Sequence, residues 1–195
     1  MIKNIGMIQS KQLGIFWGNE AAYFVEQEDG TPNQIFHVPF NLKDIPSIKK
    51  DISDPKKSKI ATNIKNALSK QKVSTNNVNL SLPTREIISR SFVIPSMQPH
   101  EIKSVVEFEI SKYIPFSLNE LSFAFYPINI EQENLKLIRI IFIAIKNDAL
   151  ESYLNLLESC SFSVNMIEPG SLSLIRALNN KDQIPKNQTL AIVEM

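Results

Sequence analysis

Ile102, Val106, Glu109 and Tyr113 recur at spacings of four, three and four, so an α-helix would carry all of them on one face. A carboxylate in an otherwise apolar stripe is the residue type that accepts hydrogen bonds from a bound segment. The plainer reading is that Glu109 reaches solvent or pairs with a nearby cation. Prolines bound this helix: Pro99 opens it, and Pro115 stops it after Tyr113. What remains is a Tyr113-Ile114-Pro115-Phe116 corner, read either as a docking point or as a helix stop packed into the core.

Other chemistry is sparse. Two histidines, His37 and His100, and one cysteine, Cys160, build neither a Cys/His metal cluster nor a Ser/His/Asp or Cys/His nucleophile. Glu107 and Glu109 stand two apart and face different sides of a helix, so they form no acid–base dyad. Phosphate cradles are usually built from glycines, and this chain has five. Only Gly14 and Gly18 are close, and they flank the bulky Ile15-Phe16-Trp17. No P-loop or dinucleotide fingerprint occurs. The residues alone therefore assign no catalytic group, no metal and no nucleotide.

Composition narrows the class. The chain has 195 residues, 43% of them hydrophobic and 21% charged, enough for one domain or two small subdomains with a real core. A net charge of +1 argues against a nucleic-acid partner. The lysines at Lys49, Lys50, Lys56, Lys57 and Lys59 are interrupted by Asp51 and Asp54 and read as a solvated face. A lone cysteine forbids an intrachain disulfide and fits a reducing compartment, and Cys160 reads as a small buried hydrophobe. No apolar run is long enough for a signal peptide, and the longest, Leu137 to Ile145, contains Arg139 and is too short to span a bilayer. The expectation is a cytoplasmic protein with no membrane insertion of its own, open to tethering through a partner.

The elements that must position these residues follow from periodicity. Gln12 to Trp17, Ala21 to Glu26 and Gln34 to Val38 read as an antiparallel meander, with turns at Gly18-Asn19-Glu20 and Asp29-Gly30. Asn41 to Ser53 is a loop. Asp54-Pro55 starts a helix carrying Ile60, Ile64, Ala67, Leu68 and Gln71 at helical spacing. Val78 to Leu82 adds a strand beside the meander. Ile87 to Ile94, the Pro99 helix, Ser122 to Asn129, Lys136 to Ile145, a helix from Asn147 or Asp148, and Phe162 to Ile167 read as strand, helix, strand, strand, helix, strand. Glu131 to Asn134 is the loop of a hairpin, and the nearly all-apolar second strand is expected at the sheet centre, covered on both faces. A helix from Pro169-Gly170-Ser171 and a strand Thr189 to Glu194 finish the chain.

Several strings resemble the type IV pilus assembly protein PilM family, actin-like relatives of the cell-division protein FtsA. They are Leu13-Gly14-Ile15-Phe16-Trp17-Gly18, Leu80-Ser81-Leu82-Pro83, the run Glu107 to Phe116, Ile143-Ala144-Ile145-Lys146-Asn147, and Ile167-Glu168-Pro169 onward to Leu178. The resemblance implies a mixed α+β and α/β chain built on an actin-like, ribonuclease H-like fold. Residues 1–83 would form the first subdomain, 84–168 an inserted β-α-β-β-α-β module, and 169–195 a return helix and the first strand of a second domain. On that resemblance the rest of the second domain is expected to be missing from these residues. The chain stops one residue after Glu194, inside a strand, which favours truncation of something longer over a natural half-protein.

In that family the first hairpin carries an Asp, a Gly and a Lys that grip phosphate and metal; here those positions are Phe16, Gly18 and Tyr23, a degenerate version. The resemblance therefore implies a scaffold and no ATPase, with ATP and magnesium kept only for the alternative of an actin-like ATP-binding protein. It also implies a partner, the short cytoplasmic N-terminal peptide of the inner-membrane protein PilN, received near Glu109, Tyr113, Ile114, Pro115 and Phe116. Other pilus assembly proteins would be further partners, and the protein would be recruited to the cytoplasmic face of the inner membrane. A type II secretion scaffold of the same fold is a further alternative.

Overall fold

Alternating apolar and polar residues over the first forty positions favour strands with one buried face. In the computed structural model, which describes residues 11–40, 59–180, 184 and 191, these residues form β1 (Gln12–Trp17), β2 (Ala21–Glu28) and β3 (Thr31–Pro39). The three pair as an antiparallel meander. Asp29 and Gly30 take φ of 51° and 79°, the double left-handed conformation of a tight hairpin turn. The first hairpin works differently. Neither Gly18 nor Asn19 takes a positive φ. Gly18 is required for space, since a Cβ there would stand 3.0 Å from both the Ala21 carbonyl oxygen and the Tyr23 ring.

Beyond the meander come α1 (Lys59–Gln71) and β4 (Asn77–Leu82). The lead-in before residue 11, the loop from Asn41, the Asp54-Pro55 helix start and the strand from Thr189 lie outside the described residues. The chain continues through β5 (Ile88–Pro95), α2 (Pro99–Ile110), β6 (Leu121–Gln132), β7 (Leu135–Lys146), α3 (Asn147–Ser159), β8 (Ser163–Pro169) and α4 (Gly170–Asn180).

The strands form a five-stranded sheet, β3-β2-β1-β4-β8, and a three-stranded sheet, β5-β7-β6. Two compact units result: Met1–Thr84 with Leu154–Met195, and Arg85–Tyr153. The inserted unit is thus shorter than the 84–168 module expected from sequence. It ends inside α3, and β8 pairs in parallel with β4, from Asn77↔Ser163 to Leu82↔Pro169. The physical reason is non-local. A short apolar strand does not announce its partner, and parallel neighbours need a long crossover.

In the first unit, Leu13, Ile15 and Trp17 of β1, Ala22 and Phe24 of β2, and Val78, Leu80 and Leu82 of β4 are buried, each at the alternate positions of its strand. Ile60, Ala61 and Ile64 of α1 and Leu156 and Leu157 of α3 join this core. Each such valine, leucine, isoleucine or phenylalanine contributes about 1.5–3 kcal/mol, and each alanine less. Cys160 is part of the same core, its thiol 3.7 Å from the Ala61 carbonyl oxygen. Burial, the largest cause, pushes that thiol's pKa up. Cys160 is therefore expected to resist an aromatic disulfide reagent in native buffer and to react fully in denaturant. Rapid native reaction would show that this core opens.

In the inserted unit, α2 packs on the sheet through Ile102, Val106 and Ile110 against Ile138, Ile140, Phe142 and Ala144 of β7, with Ile94, Ile114 and Leu121 in the same cluster. β7 is the central strand, as its composition predicts. Its other face is not sealed: Leu137, Ile141 and Ile143 are half-buried and Arg139 is exposed. The β6–β7 hairpin is tighter than the expected four-residue loop, because Glu133 and Asn134 both adopt positive φ, 51° and 64°. At the base of this unit the buried Tyr153 hydroxyl is hydrogen-bonded to Arg85 and Glu86. Burial above all, and then the Glu86 charge, holds its ionisation above the ordinary phenol range.

Candidate functional site: the α2 corner and the aromatic hairpin

Pro99 at the head of α2 has a fixed φ suited to a first helical turn, and the Gln98 N–H donates to Glu101 Oε2 at 3.0 Å. The other end differs from the expected Tyr113 terminus. Regular helix stops at Ile110, and the next residues wind into a tighter turn, with the Lys112 N–H on the Glu109 carbonyl and the Tyr113 N–H on the Ile110 carbonyl. The buried stripe is consequently Ile102, Val106, Ile110 and Ile114. Glu109 and Tyr113 lie beside it, one residue out of phase. An isoleucine gains more from the core than a carboxylate or a phenol, so the competing four-residue series wins.

Glu109 is an ion-pair partner here. Lys112 Nζ stands 2.6 Å from Glu109 Oε1 and also 4.4 Å from the centre of the Phe108 ring. Such a partly exposed pair is worth about 0.2–1 kcal/mol. Tyr113 is 53% exposed and leans on Phe92, with ring centres 6.2 Å apart. Ile114 points into the core, Pro115 is exposed and Phe116 is half-buried. Lys146 Nζ lies 3.7 Å over the Phe116 ring. Phe116, Lys146, Glu120, Asn147 and Asp148 line a notch of about 250 Å³. Its carboxylates are already engaged: Glu120 Oε2 accepts the Ser117 N–H at 3.0 Å and Asp148 Oδ1 the Ala149 N–H at 2.8 Å. Lys146 makes no ion pair among the described residues.

The corner thus presents two exposed aromatic rings, Phe108 under Lys112 and Tyr113 against Phe92, and a second cation, Lys146, seated on Phe116. Phe108 and Lys146 were not singled out in the sequence. Phe108 lies off the predicted apolar stripe, while Lys146 lies at a strand end far away in sequence.

At the first hairpin, Phe16 and Tyr23 are direct cross-strand partners with ring centres 6.1 Å apart, and Tyr23 also faces His37 at 5.9 Å. The Gly18 N–H is spent on the Ala21 carbonyl oxygen at 3.0 Å. These aromatic rings and the internally satisfied N–H present no carboxylate, ammonium or free donor. Phe16 and Tyr23 instead line a groove of about 600 Å³ with Gly14, Val25, Ser173 and Leu174. Among the described residues no group of three or more His, Cys, Asp or Glu side chains could hold a metal, and no helix is long and apolar enough to cross a membrane.

A meander, a crossover strand beside β1 and an α+β unit inserted after β4 make this an actin-like fold. The chain belongs to the family of the type IV pilus assembly protein PilM, whose family model matches residues 39–195. Among solved structures it is similar to a PilM–PilN type IV pilus biogenesis complex, with a TM-score of 0.72 and 20% identity over 89% of this chain and 51% of that one. It is also similar to the cytoplasmic domain of EpsL, an inner-membrane component of the Vibrio cholerae type II secretion system, with a TM-score of 0.56 and 12% identity over 82% of this chain and 57% of that one. The chain therefore spans little more than half the length of these relatives. Comparison with curated proteins by sequence finds no match.

Proposed function

We propose that the protein is a non-enzymatic cytoplasmic adaptor of type IV pilus assembly. It holds the short N-terminal peptide of a PilN-like inner-membrane protein at the α2 corner. That contact recruits it, with other pilus assembly proteins, to the cytoplasmic face of the inner membrane. The observation that carries this reading is the likeness, over most of the chain, to a PilM solved with PilN. The corner supports the placement. Exposed aromatic rings give a peptide apolar pockets, and the unpaired Lys146 suits a carboxylate. A labelled peptide copying the PilN-like partner's N-terminus should bind with a micromolar Kd, about −8 kcal/mol. No saturable binding up to millimolar peptide would refute the reading.

The non-enzymatic part rests on Phe16, Tyr23 and the spent Gly18 N–H. ATP with magnesium is expected to leave the melting temperature unchanged, whereas a native-state ligand would raise it. A saturable rise would reinstate the ATP-binding alternative. The EpsL likeness keeps a second reading open, a type II secretion scaffold that differs in its partner. Parallel titrations with PilN-like and EpsL-associated peptides would separate the two.

A further inference from the structure

Helix α2 covers one face of the three-stranded sheet through Ile102, Val106 and Ile110. The opposite face is apolar and uncovered. Cross-strand rows Ser91↔Ile141↔Tyr126 and Val93↔Arg139↔Ile128 run through its middle. The rows on either side add Leu137 with Ile130 and Ile143 with Ala124, and no further charge. Tyr126 is 67% and Val93 44% exposed. An antiparallel sheet that turns one face to water ordinarily makes that face polar. Contiguous apolar surface there marks a contact with another molecule. The whole face lies in the inserted unit, Arg85–Tyr153, all of which is described.

Arg139 says what that molecule carries. It is exposed between Val93 and Ile128 on the neighbouring strands, and it has no carboxylate partner among the described residues. A purely apolar cover would strand its guanidinium away from water, which is unfavourable. A carboxylate set opposite accepts a bidentate pair from it. The occupant therefore has an aspartate or glutamate ringed by apolar side chains.

The shape of the face selects a helix. At about 4.8 Å per step, the outer two of three strands lie about 10 Å apart, the width of one helix. The other face of these strands already seats one, the 12-residue α2. Two other occupants fit worse. A two-fold stack of this face on itself turns Arg139 toward Arg139. An anionic bilayer is held by clusters of Lys and Arg, and these rows carry a single cation.

We propose that the outer face of the three-stranded sheet docks an amphipathic helix of another polypeptide, one with an Asp or Glu in its apolar stripe that meets Arg139. The site is separate from the α2 corner, where Tyr113 leans on Phe92 of the covered face. A single helix buries less than a standard interface, so the contact is a transient one.

The probe is a display library of single-helix peptides of the same length as α2, with the apolar-stripe positions randomised among Leu, Ile, Phe, Gln, Glu and Lys. It is selected on the full chain, and the winners are titrated as free peptides by fluorescence anisotropy. Winners should carry a carboxylate within the stripe. Arg139→Glu should weaken them about tenfold or more, and changing the peptide's Glu to Lys should restore binding to that variant. Tyr126→Ser should weaken them as well. Both side chains are exposed, so circular dichroism and melting should stay at wild-type values. The PilN-like N-terminal peptide should keep its affinity for Arg139→Glu, so this result stands or falls apart from the α2 corner. No enrichment, winners without a carboxylate, or winners indifferent to Arg139→Glu would each overturn the proposal. Binding to phosphatidylserine vesicles that Arg139→Glu abolishes would overturn it too, and give the face to a membrane.

Discussion

Phe142→Ala should destabilise the inserted unit by about 3–5 kcal/mol, the usual cost of truncating a fully buried phenylalanine. Phe142 has no exposed surface and stacks on Phe123 with ring centres 5.3 Å apart. It belongs to the central strand and to the cluster that holds Val106 and Ile110 of α2. The cavity left would be lined by β-branched side chains that cannot flex to fill it. Urea denaturation followed by near-ultraviolet dichroism measures the loss. Arg139→Ala, on the same strand but exposed, should stay within about 0.5 kcal/mol of wild type. Equal stabilities for the two variants would contradict this account of the core.

The second large effect concerns the α2 corner. Tyr113→Ala and Phe116→Ala should each weaken binding of the PilN-like N-terminal peptide about 10- to 30-fold, as expected for aromatic anchors. Lys146→Ala should cost less, and mainly at low salt. Glu109→Ala should cost least, because its carboxylate is engaged by Lys112. Ile114→Ala is the control, since Ile114 is a core residue and its loss should appear as lower stability. Titration by fluorescence anisotropy, with melting curves for each variant, separates the two kinds of damage. Wild-type affinity for both aromatic variants would move the site elsewhere.

What the sequence made legible was whatever depends on neighbours along the chain. Proline bounds, the Asp29-Gly30 turn and strand alternation placed nearly every described element within a few residues. Phase and partners were harder. Glu109 and Ile110 are adjacent, and both continue a helical series from Val106; only the energy of burial chooses between them. Gly18 looked like a turn glycine, yet its role is to admit the Tyr23 ring, a cross-strand contact. β8 carried no mark of its pairing with β4. Of the corner's chemistry, Tyr113 and Phe116 were visible as a proline-bounded aromatic pair. Lys146 was not, because its place over Phe116 depends on the three-stranded sheet.

Tyr153 joining Arg85 and Glu86 has a consequence for how the chain assembles. The five-stranded sheet needs β4 and β8, whose residues Asn79 and Asn165 hydrogen-bond across 86 positions. Closing a loop that long in a disordered chain is costly. The inserted unit is complete once Tyr153 has been synthesised, before β8 exists. Its first and last residues then meet, so the polymer separating β4 from β8 shrinks to about a dozen residues. The saving is about 2 kcal/mol of closure entropy. The insertion thus serves as a clasp, and a chain growing from its N-terminus can fold the middle first and finish the outer sheet last.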